Sequence, residues 1–234
     1  MIVRHLGLVD YPPIAAAMQQ WTAARTAAQC DELWLCQHRP VFTLGIAADA
    51  GHVLDAGAIP VVASTRGGQV TYHGPGQIVA YPLIDLKRQG LFVKEYVARL
   101  EAAVIGTLQA FGIAGHRVAG APGVYVRPLA PGDASPLPAQ AAGMPPAFHG
   151  LAKIAALGVK ISQGRSYHGL ALNVAMDLSP YLRINPCGYQ ALATTDMHTI
   201  GVPAHPQRVS ATLVAQLRQQ LQPPAKAPPH ASPS

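Results

Sequence analysis

The chain has 234 residues, half of them hydrophobic and 12% charged, with a formal charge of +6 when histidine is neutral. That length and composition suit a globular protein with a buried core and exclude a disordered one. No apolar run is long enough to span a bilayer, and no block of Lys or Arg interleaves with aromatics, so neither membrane insertion nor nucleic-acid binding is expected. The excess positive charge could steer an acidic protein partner or serve solubility alone. The opening MIVRHLGLVDYPP lacks the long apolar stretch of a secretion signal, which points to the cytoplasm. The cysteines are Cys30, Cys36 and Cys187; an odd number without C-x-x-C spacing argues against a disulfide framework and a structural zinc site.

In chain order, Ile2–Val9 alternates as a strand, and Pro12-Pro13 opens an Ala-rich helix to about Gln29. Glu32–Gln37, Val41–Leu44 and Ile59–Ser64 read as strands. Next comes the glycine-rich RGGQVTYHGPGQIVAYPLIDL, Arg66–Leu86, whose Ile78–Ile84 is a further strand with an edge or bend at Pro82. Val93, Val97, Leu100, Val104, Leu108 and Phe111 draw one apolar stripe along a helix that Gly112 ends. Ile113–Val118, Gly123–Arg127, Ala152–Ser162 and Tyr167–Val174 have the character of strands in a mixed sheet, and Val209, Leu213, Leu217 and Leu221 mark a last helix. The expected architecture is α/β (α+β): residues 1–222 as a single domain, a mixed sheet flanked by helices. A flexible insertion at 127–150 and a disordered tail at 223–234 complete it.

The glycines of Arg66–Leu86 either shape a hairpin or leave backbone exposed to a ligand. In INPCGY, Ile184–Tyr189, Pro and Gly display Cys187 at a loop tip. A thiol attacks only as thiolate, so it needs a neighbouring base or cation. Lys153, His168 and His73 are the candidates. Lys153 opens the strand-like KIAALGVKIS, where desolvation penalises an ammonium; His168 could instead pair with Cys187, oriented by Asn173 or Asn185. His73, His168 and Cys187 have no metal-motif spacing, so no metal is expected. Neither G-x-x-x-x-G-K-[ST] nor G-x-G-x-x-G is present, so an ordinary nucleotide cradle is not expected either.

Taken together, RGGQVTYHGPGQIVAYPLIDL, KIAALGVKIS with SYHGLALNV at Ser166–Val174, and INPCGY resemble the lipoyl(octanoyl) transferases of lipoate biosynthesis, over most of Leu33–Gly201. The resemblance implies a fold similar to the catalytic domains of biotin protein ligases and lipoate-protein ligases, and no cofactor. It implies octanoyl transfer from octanoyl-acyl carrier protein to a lysine of the lipoyl domains of 2-oxoacid dehydrogenases and of the glycine cleavage H protein. Cys187 would be the acyl-thioester nucleophile and Lys153 its partner base. Arg66, Gly67, Gly68, Gln69, Val70, Thr71, Tyr72 and His73, with Ala156, Leu157, Gly158, Gly169, Leu170 and Ala171, would line the acyl and thioester site, supported by His168 and Asn185. The long 127–150 insertion departs from the family's short link. Two rival readings stand beside this one. An ATP-dependent ligase of the same fold would not need Cys187, and its loop typically carries an extra serine and glycine absent from RGGQVTYHGPG. A non-catalytic acyl-binding module would tolerate loss of both Cys187 and Lys153.

Overall fold

The computed structural model describes residues 1–128, 148–186 and 192–222. The expected tail, most of the expected insertion, and Cys187 with its neighbours Gly188 and Tyr189 lie outside the described residues.

Ten strands and four α-helices alternate along the described chain: β1 (Ile2–Val9), α1 (Tyr11–Ala24), β2 (Glu32–His38), β3 (Val41–Leu44), β4 (Val61–Ala63), β5 (Val70–His73), β6 (Gln77–Leu83), α2 (Leu86–Gln89), α3 (Val93–Gln109), β7 (His116–Val118), β8 (Ala121–Val126), β9 (Ala152–Ser162), β10 (Arg165–Asn173) and α4 (Pro206–Gln220). A seven-stranded sheet has the order β1-β2-β6-β10-β9-β8-β7, and a smaller one the order β4-β3-β5. The large sheet is mixed: β1 runs parallel to β2, and its other pairs are antiparallel.

Period-two alternation divides the large sheet into two faces. Ile78, Ala80, Leu170 and Leu172 turn toward α3 and α4, whose Leu100, Val104, Leu108, Leu213 and Leu217 complete the main core. Val79, Tyr81 and Ala171 turn to the opposite face, where α1 covers Trp34, Cys36 and Leu83 with Met18. Val79, Tyr81 and Ala171, on this second face, also line the slot described below.

Three expectations are corrected. The first helix ends at Ala24 instead of Gln29, because Arg25 leaves the helix and is buried against Asp31, Leu83 O and Gln29 O. Pro82 lies in an interior strand, between β2 and β10. Its missing N–H is accommodated because the β6–β10 ladder stops at Leu170↔Ala80, two residues before it. Ser166 Oγ donates to Pro82 O at 2.9 Å and accepts from Ile84 N at 3.0 Å, holding the two strands together past that point.

The third concerns the glycine stretch, which does not form a hairpin. β5 pairs with β3 in the small sheet, while β6 enters the large one, so Gly74-Pro75-Gly76 carries the chain between sheets. On the far side, β8 and β9 pair from Gly123↔Ala156 to Val126↔Ala152, so the long connection leaves and returns between neighbouring strand ends. Phe148, near the end of that connection, packs on Tyr125 with ring centres 5.4 Å apart.

Candidate active site

β9 carries Lys153 and then Ala156 and Gly158; β10 carries Ala171 and Gly169 beside them. These small residues leave a trough on the second sheet face, and the segment from Arg66 to His73 crosses over it. The result is a narrow slot with a cavity volume of about 40 Å³. Arg66, Gly68, Gln69, Val70, Thr71 and His73 line it from above, and Ala156, Leu157, Gly158, Gly169, Leu170 and Ala171 from the sheet. Tyr11, Val79, Tyr81 and His168 complete the walls.

Two expected lining residues are placed differently. The Tyr72 ring packs with Phe42 and Tyr181 in the core of the small sheet. Gly67 fastens the cover to the sheet: its N–H donates to Val159 O at 3.0 Å. A Cβ on Gly158 would lie 2.8 Å from Gly67 O, so glycine is needed there for the two backbones to approach. Arg66 anchors the same cover, with Nε 3.0 Å from Thr43 Oγ1 and Nη2 2.6 Å from Thr43 O.

Lys153 is 4% exposed. Its Nζ donates to Pro122 O at 3.1 Å and lies 5.2 Å from the centre of the Tyr125 ring. Gly123 on the neighbouring β8 has φ 142, and a Cβ there would meet Lys153 Cε at 2.7 Å, so its bare backbone makes room for the side chain. The Lys153 backbone is bonded through both its polar groups to the segment that follows position 191: its N–H donates to Ala193 O at 2.8 Å, and its C=O accepts from Thr195 N at 2.9 Å. On the near side of position 187, Asn185 N donates to His52 O at 2.8 Å, and Ile184 bridges to Val53.

A hydrogen-bond chain links this region to the slot. Asn173 Nδ2 donates to Thr195 O at 2.9 Å, Gln77 Nε2 donates to Asn173 Oδ1 at 2.9 Å, and Gln77 Oε1 lies 2.7 Å from His73 Nδ1. With the amide nitrogen of Gln77 committed to Asn173, its oxygen accepts, so His73 carries its proton on Nδ1. Beyond His73 the rings continue. Tyr11 stacks between His73 (5.9 Å, 9°) and His168 (6.4 Å, 10°), and His38 lies edge-on to Tyr11 and His73. Burial is the main cause that pushes the histidine pKa values down, to about 4 for His38, about 3 for His73 and about 4 for His168; Arg66 adds to it at His73 and His168. All three are neutral at pH 7. Cys36 has its thiol pushed up to about 12 by burial, so it is inert as a nucleophile.

The sequence matches the lipoyl protein ligase A/B catalytic domain family over residues 12–218. A relative from Methylibium petroleiphilum named an octanoyltransferase is 61% identical over 220 residues, covering 94% of this chain and 98% of its own. The chain belongs to the octanoyltransferases. It is an acyltransferase. Among solved structures, a bipartite lipoate protein ligase from Thermoplasma acidophilum aligns with TM-score 0.66 at 14% identity, over 94% of this chain and 84% of its own. A biotin protein ligase from Aquifex aeolicus with biotin and ATP aligns at 0.53 and 10% identity, over 94% and 69%. At these identities the likeness is one of fold. No helix among the described residues is long and apolar enough to cross a membrane.

Sequence reasoning missed Tyr11, Val79 and Tyr81 as slot walls, and the Gln77 link. Tyr11 precedes Pro12-Pro13 in what reads as a helix start, and nothing local signals that the ring faces a slot built from residues over 50 positions away.

Proposed function

We propose that this octanoyltransferase moves an octanoyl group from octanoyl-acyl carrier protein to a lysine of a lipoyl domain, through a thioester on Cys187. The supporting observation is the placement of Lys153: it is buried beside the slot, and its backbone is bonded to Ala193 and Thr195, the segment that follows residues 187–191. In sequence, five residues (187–191) lie between Pro186 and Leu192, so Cys187 is six positions from Ala193, the first residue of that segment bonded to Lys153.

Lys153 Nζ accepts the proton of the Cys187 thiol, and the thiolate attacks the carrier thioester carbonyl. The tetrahedral state collapses with loss of the carrier thiolate, which takes the proton back from Lys153, and the acyl-enzyme remains. The amine of the target lysine then attacks, Lys153 receives its proton, and Cys187 departs as thiolate with formation of the amide. The acyl chain lies in the slot, whose narrow section and small-residue floor suit an unbranched alkyl chain. The acceptors are lipoyl domains of 2-oxoacid dehydrogenases and the glycine cleavage H protein, and the reaction takes place in the cytoplasm. A thioester is already activated, so no nucleotide enters.

The test is transfer to a lipoyl domain with ATP removed by apyrase. Full transfer from octanoyl-carrier is expected. Faster transfer from free octanoate plus ATP than from the carrier thioester would select the ligase reading.

A further inference from the structure

Strand pairing orders the slot in rows. Val79, Ala171 and Ala156 form one row; further along β10 come Gly169 opposite Gly158, then His168 opposite Val159. Lys153 lies beyond the other end, three residues before Ala156. From Ala171 to His168 is three residues, about 10 Å at the rise of a strand. An extended eight-carbon acyl chain measures about 9 Å, given C–C bonds of about 1.5 Å. A chain whose carbonyl faces Lys153 near the Ala156 row therefore ends at His168.

His168 is built into the fold in an unusual way. Its φ is 58, a left-handed conformation inside a strand, taken where β10 leaves the β6 ladder. Its Nε2 is 3.1 Å from Thr65 Oγ1, and Tyr167 packs on its ring at 4.9 Å. Tyr11 flanks it in parallel and Tyr81 lies edge-on at 6.3 Å. The residue is 1% exposed, and Nδ1 is buried without a hydrogen-bond partner among the described residues. Held by a fixed backbone, a hydroxyl and three rings, the imidazole cannot swing aside.

We infer that His168 closes the far end of the slot and sets the length of the acyl chain, as a specificity-determining residue of the transfer. This rests on the reading that the slot holds the acyl group. A longer chain must displace a fixed ring or withdraw its carbonyl from the Lys153 end; one misfitting methylene in an apolar pocket changes the rate about 10–200-fold. His73, Tyr11 and His168 form one aromatic wall, and the register of β10 on β9 makes His168 its member furthest from the Ala156 row.

The test uses the full chain with acyl-carrier thioesters of six to twelve carbons in competition, and reads relative transfer to a lipoyl domain by intact mass. Wild type should prefer the eight-carbon substrate. His168→Gly suits the left-handed backbone and removes the ring, and the preferred substrate should become the ten- or twelve-carbon one. His168→Phe keeps the ring volume and should keep the eight-carbon preference. Ala171→Leu, which fills the slot at its carbonyl end, should slow every chain. An unchanged profile in His168→Gly with a slow Ala171→Leu overturns the role of His168 and leaves the slot reading standing. Wild-type profiles and rates in all three variants overturn both. Thermal unfolding is measured for each variant; should His168→Gly fail to fold, His168→Asn, tolerated at positive φ, must show the same shift in smaller degree.

Discussion

In the proposed mechanism two residues carry the chemistry, Cys187 and Lys153. If Lys153 is the base, Lys153→Ala slows formation of the acyl-enzyme by about 10²–10⁴, the usual loss for a general base. Lys153→Arg separates charge from proton transfer, because guanidinium keeps its proton in a protein. Single-turnover acylation should be as slow in Arg as in Ala; near-wild-type acylation in Arg would reduce Lys153 to an electrostatic aid. The histidines make a separate prediction, about stability. His38, His73 and His168 have folded pKa values of about 4, 3 and 4, below the ordinary 6.5. Between those limits the unfolded chain binds more protons than the folded one, so stability falls as pH drops from 6.5 toward 4. Each histidine contributes up to about 1.4 kcal/mol per pH unit in that window. Denaturant titration across pH should show the fall, and His38→Gln should make it shallower by about one proton. An unchanged slope in His38→Gln would mean that His38 is charged in the fold.

At the scale of elements, the end of α1 is tied to α2 by one carboxylate. Burial alone would raise the Asp31 pKa, but the Asp85 backbone N–H, Arg25 and Arg88 together hold it below the ordinary value. Arg25 Nη2 lies 2.8 Å from Asp31 Oδ1 and Arg88 Nη2 2.5 Å, with Gln89 Nε2 at 3.0 Å from Oδ2. Asp31→Ala leaves the buried Arg25 without its carboxylate, and chemical denaturation should show a loss of about 3–5 kcal/mol. A loss under 1 kcal/mol would show that Leu83 O and Gln29 O satisfy Arg25 by themselves. This tie also explains why the helix was read too long: the alanines favour helix to Gln29, and the contact that stops it is with a residue beyond the helix. Local pattern was enough for α3, for β9 and for the strand nature of β2 and β3. It was not enough for the glycine stretch, where Gly74-Pro75-Gly76 could equally turn a hairpin or pass from one sheet to another. That choice rests on pairing with β3, 30 residues earlier.

For the whole molecule, the glycine loop, Ala156–Gly158 and Gly169–Ala171 were legible as one group because the sequence resembles a family, and the slot assembles most of them. The aromatic wall was not legible, because Tyr11, Tyr81 and His168 meet only through the packing of α1 on β6 and β10. The long connection between β8 and β9 belongs to this scale too. Its strand ends are already paired at Val126↔Ala152, and loop closure costs little per added residue. Replacing residues 129–147 by a short Gly/Ser link, with Phe148 kept against Tyr125, should preserve cooperative unfolding and transfer; loss of cooperativity would make that segment part of the core.

The central claim is acyl transfer through a thioester on Cys187, and intact mass tests it most directly. After brief mixing with octanoyl-acyl carrier protein, the wild-type chain should gain one octanoyl group that hydroxylamine removes. Cys30→Ala and Cys36→Ala should gain it as well, while Cys187→Ala gains none and transfers nothing to a lipoyl domain. A hydroxylamine-sensitive adduct on Cys187→Ala, or full transfer by that variant, would contradict the account.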